Sequence, residues 1–158
     1  MGTVGNSLIK GIAPRQVSET LESFYAYEHL RAHFARAALN RLSGHGEIHL
    51  KSGLEKRLSE AEVNAARLAK RIAQLGGAIP ADPSEFARLA PIDAIELPDP
   101  NDTKAFLAYG LEQEREAIRF YNEFLESIRD KDVLTYFDVF EIFKVHIAVE
   151  DEIENFRK

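Results

Sequence analysis

The chain of 158 residues has no cysteine and no tryptophan. Without cysteine, disulfides, thiolate catalysis and cysteine-ligated zinc are excluded, a composition that suits a reducing compartment. Long apolar runs are missing too. Nothing approaches the roughly 20 residues of a membrane span, and residues 1–10 lack the basic start and apolar run of a signal peptide. A cytoplasmic protein without a membrane partner is expected. Basic charge is in deficit: 20 Lys and Arg stand against 26 Asp and Glu, for a net charge of −6. No basic patch with interleaved aromatics offsets this, so nucleic acid is not an expected partner. Gly2 and Gly5 form no phosphate loop, since no strand precedes them and no Lys-Ser/Thr follows. No nucleophile elbow or Ser-His-Asp arrangement is present.

Glycine and proline, helix breakers both, are confined to a few places, apart from Gly53 alone near the start of the second helix and Gly110 after Pro100. They mark positions 1–14, the Ser43-Gly44-His45-Gly46 run, Gly76-Gly77, and a stretch holding Pro80, Pro83, Pro91, Pro98 and Pro100. The segments between are rich in Ala, Leu, Glu and Arg, which favour helix. Four long helices are expected, over about 18–42, 50–75, 102–129 and 132–156. Ser18, Asn101 or Asp102, and Asp130 or Asp132 are the candidate N-caps. Gly76 is the stop of the second helix, with Lys70 and Arg71 as basic residues in its last turns. Short loops make each pair of helices an antiparallel hairpin. Residues 77–101, too long for a tight turn, form a crossover between the pairs, and 1–17 form an N-terminal extension. The whole of 1–158 is one all-α domain.

Each helix shows an apolar seam at near-heptad spacing. The first reads Leu21, Tyr25 (or Phe24), Glu28, Ala32, Ala35, Leu39, Leu42, and the third Leu107, Leu111, Glu114, Ile118, Tyr121, Leu125, Ile128. A single glutamate interrupts each. A buried carboxylate needs a metal, a cationic partner or a proton. The second seam, Leu54, Leu58, Ala61, Ala65, Leu68, Ile72, Leu75, carries no acid and has Asn64 at its edge. The fourth, Val139, Ile142, His146, Val149, Ile153, Phe156, is interrupted by His146. Phe140, Phe143 and Ile147 add a second apolar stripe to it.

These features resemble the ferritin-like superfamily, especially Dps-like proteins and more distantly bacterioferritin. The best local likenesses are ARLAKRIAQLGGAIPAD, which ends the second helix, and LEQEREAIRFYNEFLE in the third. The resemblance implies a four-helix bundle of two hairpins joined by a long crossover. It also implies a dimetal site made of one Glu on the first helix, Glu-x-x-His on the second, and the same two elements on the third and fourth. Glu28 and Glu114 match the single glutamates. The Glu-x-x-His positions hold Ala61 and Asn64 on the second helix, and His146 and Val149 on the fourth. Most ligands are therefore replaced. A residual site of Glu28, Glu114 and His146 would hold at most one divalent iron or manganese, and an ordinary di-iron centre is not expected. A shifted register through Glu62 and Glu150 would add two acids and no histidine, off the apolar seams.

His29 and His33, four residues apart, are expected to form a solvated or interface face, and His45, Glu47 and His49 to lie at the surface. The run Glu150-Asp151-Glu152 with Glu154 is expected to be a solvated helix face. The expected function is a homo-oligomeric, assembling or partner-binding bundle with a degenerate dimetal-carboxylate site. The alternative is an active iron or manganese carboxylate protein, for iron oxidation, storage or oxidative-stress protection, with an unusual ligand set.

Overall fold

The structure is a computed structural model and describes residues 2–93 and 96–157. Among them the helices are α1 (Thr3–Ser7), α2 (Pro14–Leu39), α3 (Gly44–Leu75), α4 (Phe86–Leu89), α5 (Thr103–Ile128) and α6 (Val133–Phe156), with a 3-10 turn at Pro83–Glu85 and no strand. The four long helices form the bundle. α2 pairs with α3 and α5 with α6 across short turns, α3 also packs on α6, and α4, inside the crossover, packs on α2. No described helix is long and apolar enough to cross a membrane.

Local chemistry sets the ends. α2 begins at Pro14, four residues before the expected Ser18, because proline at the first helical position has its φ preset and lacks a donor the helix could not use. Ser18 is instead buried and donates to Glu22 at 2.8 Å. Asp102 caps α5 through the amide of Ala105 at 3.1 Å, and Asp132 caps α6 through that of Thr135 at 3.0 Å. α3 stops at Gly76, whose φ of 78° is left-handed, with the Gly77 amide returning to the Ile72 carbonyl at 3.0 Å. A Cβ on Gly77 would stand 2.0 Å from the Ser18 hydroxyl oxygen, so this turn also needs a bare backbone against α2.

One expectation from local pattern is corrected. α3 begins at Gly44, not near residue 50, so His45, Glu47 and His49 lie in a helix, on its exposed side. Asn101 explains the longer helix: it accepts from the Ser43 amide at 2.8 Å and donates to the Arg41 carbonyl at 2.9 Å, clamping the turn. Arg71, near the end of α3, is 1% exposed. Its Nη2 donates to both Asp132 oxygens at 2.9 and 3.0 Å, and its Nε to the Thr135 hydroxyl at 2.7 Å, which ties the end of α3 to the start of α6.

The crossover lies along α2. Ser23 donates to the Leu89 carbonyl at 2.6 Å, and Phe86 stacks on His29 with ring centres 5.0 Å apart. His29 is thus covered by the chain's own crossover while His33 is exposed, so the two do not form one free face. The hydrophobic core cluster includes Leu21, Phe24, Leu68, Leu125, Ile128 and Ile142, toward the end of the bundle where α2 and α6 begin. At the other end Phe156, expected in the core seam, is 52% exposed.

Candidate functional site

Glu28 on α2, Glu114 on α5 and His146 on α6 meet in the middle of the bundle. The chemistry starts from their burial: Glu28 and His146 are fully buried and Glu114 nearly so. His146 lies between the carboxylates, with Nε2 2.8 Å from Glu28 Oε1 and Nδ1 2.6 Å from Glu114 Oε2. Arg31, one helical turn beyond Glu28, closes the circuit from the opposite side. Its Nη1 donates to Glu28 Oε2 at 3.0 Å and its Nη2 to Glu114 Oε1 at 3.1 Å. Tyr121 donates its hydroxyl to Glu28 Oε1 at 2.8 Å. Every carboxylate oxygen of the two glutamates therefore accepts a hydrogen bond, and both imidazole nitrogens are engaged.

The electrostatics follow from this ring. Burial pushes the Glu28 carboxyl up, but Arg31, His146 and the hydrogen bonds from His146 and Tyr121 outweigh it and hold the pKa at about 2. Glu114 is lowered in the same way, against burial, chiefly by Arg31 and His146. Burial and the neighbouring Arg31 push the imidazole of His146 down, and the two carboxylates more than reverse this, so its pKa is raised. Two carboxylates, one guanidinium and one imidazolium sum to zero charge. Burial pushes the phenols of Tyr27 and Tyr121 well above their usual range.

The profile of the ferritin-like domain matches residues 14–154. The chain belongs to the ferritin-like family. Among solved structures this ferritin-like chain is similar to the dodecameric thioferritin, the bacterioferritin-related protein of Bacteroides fragilis. The likeness covers 97% of this chain and 89% of that one, with a TM-score of 0.85 and 18% identity. At that identity the likeness is one of fold. No protein of curated function matches the chain in sequence.

A ferritin-like bundle implies a pair of metal ions, and the residues at the positions that would hold them are as follows. The second and fourth helices place Ala61, Asn64 and Val149 at the remaining positions, all buried and none a carboxylate or imidazole. A cation approaching Glu28 and Glu114 meets the guanidinium of Arg31 already between them. Glu62 and Glu150 are not brought to the ring: Glu62 pairs with Arg36 at 2.9 Å and Glu150 with Arg115 at 3.1 Å, at the bundle's outer side. Arg115 also pairs with Glu154, and Arg57 with Glu152, so these acids of the last helix are partnered rather than only solvated.

Sequence reasoning misses Arg31 and the Tyr121 hydroxyl. Arg31 stands three residues after Glu28, a spacing that puts both on one helix face, and that spacing is the available signal. Tyr121 sits on the apolar seam, where its ring accounts for its place and its hydroxyl goes unnoticed.

Proposed function

We propose that this ferritin-like protein carries an ion-pair ring where its family holds two metals, and that it serves as an assembling or partner-binding module without iron-oxidase activity. The position of Arg31 carries this reading. Its guanidinium supplies, at one point between Glu28 and Glu114, the positive charge that metal ions would otherwise bring, and His146 supplies the rest. On this reading the fully hydrogen-bonded ring holds elements in register, whatever its net gain over an apolar core of the same shape. Here that register is α2 against α5 and α6. Any single-ion site of Glu28, Glu114 and His146 requires Arg31 to leave.

Assembly into a homo-oligomer is supported by the dodecameric state of the Bacteroides fragilis thioferritin, which shares the fold. The stripe of Phe140, Phe143 and Ile147 on α6 is the proposed contact, continued by Phe137, which is 58% exposed. The test is oxygen uptake after aerobic addition of ferrous iron. The expected rate equals that of iron in buffer. Rapid uptake proportional to protein would overturn the reading and favour an active carboxylate centre with an unusual ligand set.

A further inference from the structure

We propose that the cavity at the Gly44 end of the bundle is a binding site for a small neutral amphiphile, an apolar chain or ring bearing one hydroxyl or carbonyl head. The cavity has a volume of about 260 Å³, just below the roughly 300–1,000 Å³ of drug-sized ligand sites and enough for a smaller molecule. All four long helices contribute to it, and Leu30, Phe34, Leu54, Leu107 and Ile153 give it apolar walls. Two of its lining residues, Gly53 and Gly110, are glycines with room beside them. A Cβ on Gly53 would meet nothing within 4 Å, and one on Gly110 only Ile153 Cδ1 at 3.7 Å.

Three polar atoms on its lining residues select the head group. The hydroxyls of Tyr27 and Tyr109 and the Oε1 of Gln113 are buried and lack a hydrogen-bond partner, and Tyr27 as a whole is 2% exposed. Buried polar groups are nearly always hydrogen-bonded. Two phenolic donors and one amide acceptor match a hydroxyl, which accepts and donates, and the donors also match a carbonyl. A charged head is disfavoured, because both arginines in the lining are committed: Arg31 to Glu28 and Glu114, Arg57 to Glu60 and Glu152. An anion would face Glu114, and a cation would face Arg31. On this point the proposal rests on the metal-free ring described above.

The experiment is isothermal titration of the full chain with 1-hexanol, 1-octanol, octanoate and octylammonium. Octanol is expected to bind more tightly than hexanol, by about fourfold per added methylene, and the two charged analogues at least about tenfold more weakly. Gly110→Leu, which fills the space beside Ile153, is expected to abolish binding. Tyr27→Phe is expected to weaken it several-fold while leaving the ligand-free protein folded, since it deletes an atom without a partner, and it decides the matter if Gly110→Leu does not fold. No heat with any alcohol, equal affinity for octanoate, or octanol binding that survives both variants overturns the proposal. Metal content of the same sample separates the two readings: a metal in the ring sinks the ring, whereas metal-free protein that ignores octanol sinks only the cavity site.

Discussion

Arg31→Ala is the perturbation that weighs most on the ring. It removes the contacts of 3.0 Å to Glu28 and 3.1 Å to Glu114 and leaves two carboxylates facing one imidazolium. Removing one partner of a buried ion pair costs about 3–5 kcal/mol, mostly from the charge left behind. For a chain of this length each kcal/mol moves the midpoint by about 2–4 °C, so Tm is expected to fall by roughly 6–20 °C. The assay is thermal unfolding followed by far-ultraviolet circular dichroism, with chelator present and at one protein concentration, because assembly contributes by mass action. The variant also has the donor set that Arg31 blocks: two carboxylates, an imidazole and an open position. Manganese or zinc at about 100 times its dissociation constant is expected to return about 2.7 kcal/mol to the variant and nothing to the parent protein. A change in Tm within about 1 °C, or a metal-induced rise as large in the parent as in the variant, would refute the reasoning.

Three further outcomes follow from the same geometry. Nitrogen NMR of histidine-labelled protein is expected to show His146 with protons on both ring nitrogens, because each nitrogen faces a carboxylate oxygen, Nδ1 that of Glu114 and Nε2 that of Glu28; the carboxylates raise its pKa, so the stability this gives is full below the free-histidine pKa and is lost as pH rises through the folded value. Glu28, held at about 2 against 4.5 in the free residue, contributes about 3 kcal/mol, present above pH 4.5 and lost as pH falls toward 2; urea midpoints measured down that range are expected to drop correspondingly. Arg71→Met leaves Asp132 buried without its guanidinium and is expected to cost about 3–5 kcal/mol by denaturant titration, with circular dichroism at 222 nm otherwise retained.

Seams of apolar residues broken by one polar group make Glu28, Glu114 and His146 legible in the amino-acid sequence, because an unpaired buried charge is too costly to be incidental. Arg31 is less visible. It lies between His29 and His33, and its flanking place on the helix resembles an ordinary solvated arginine that snorkels outward. Only the approach of α5 from 83 residues away shows where its second donor goes. The same limit applies to Gly44–His49 and to Arg71. The first is helical because Asn101 clamps the preceding turn, and the second is buried because Asp132 and Thr135 face it. Each depends on a partner distant in sequence, which local propensity and periodicity do not contain. Phe156 fits the heptad spacing of its helix but lies where the bundle opens around the cavity, a packing outcome that periodicity along one helix does not encode.

The central claim, that an arginine-centred ring stands in place of the dimetal site, is tested most directly by counting metal. Purified protein is loaded aerobically with iron or manganese, freed of unbound ion, and analysed for metal per chain by mass spectrometry. The ring predicts well under one ion per chain in the parent protein and about one in Arg31→Ala, whereas about two irons per chain in the parent, the content of a working family site, would contradict it.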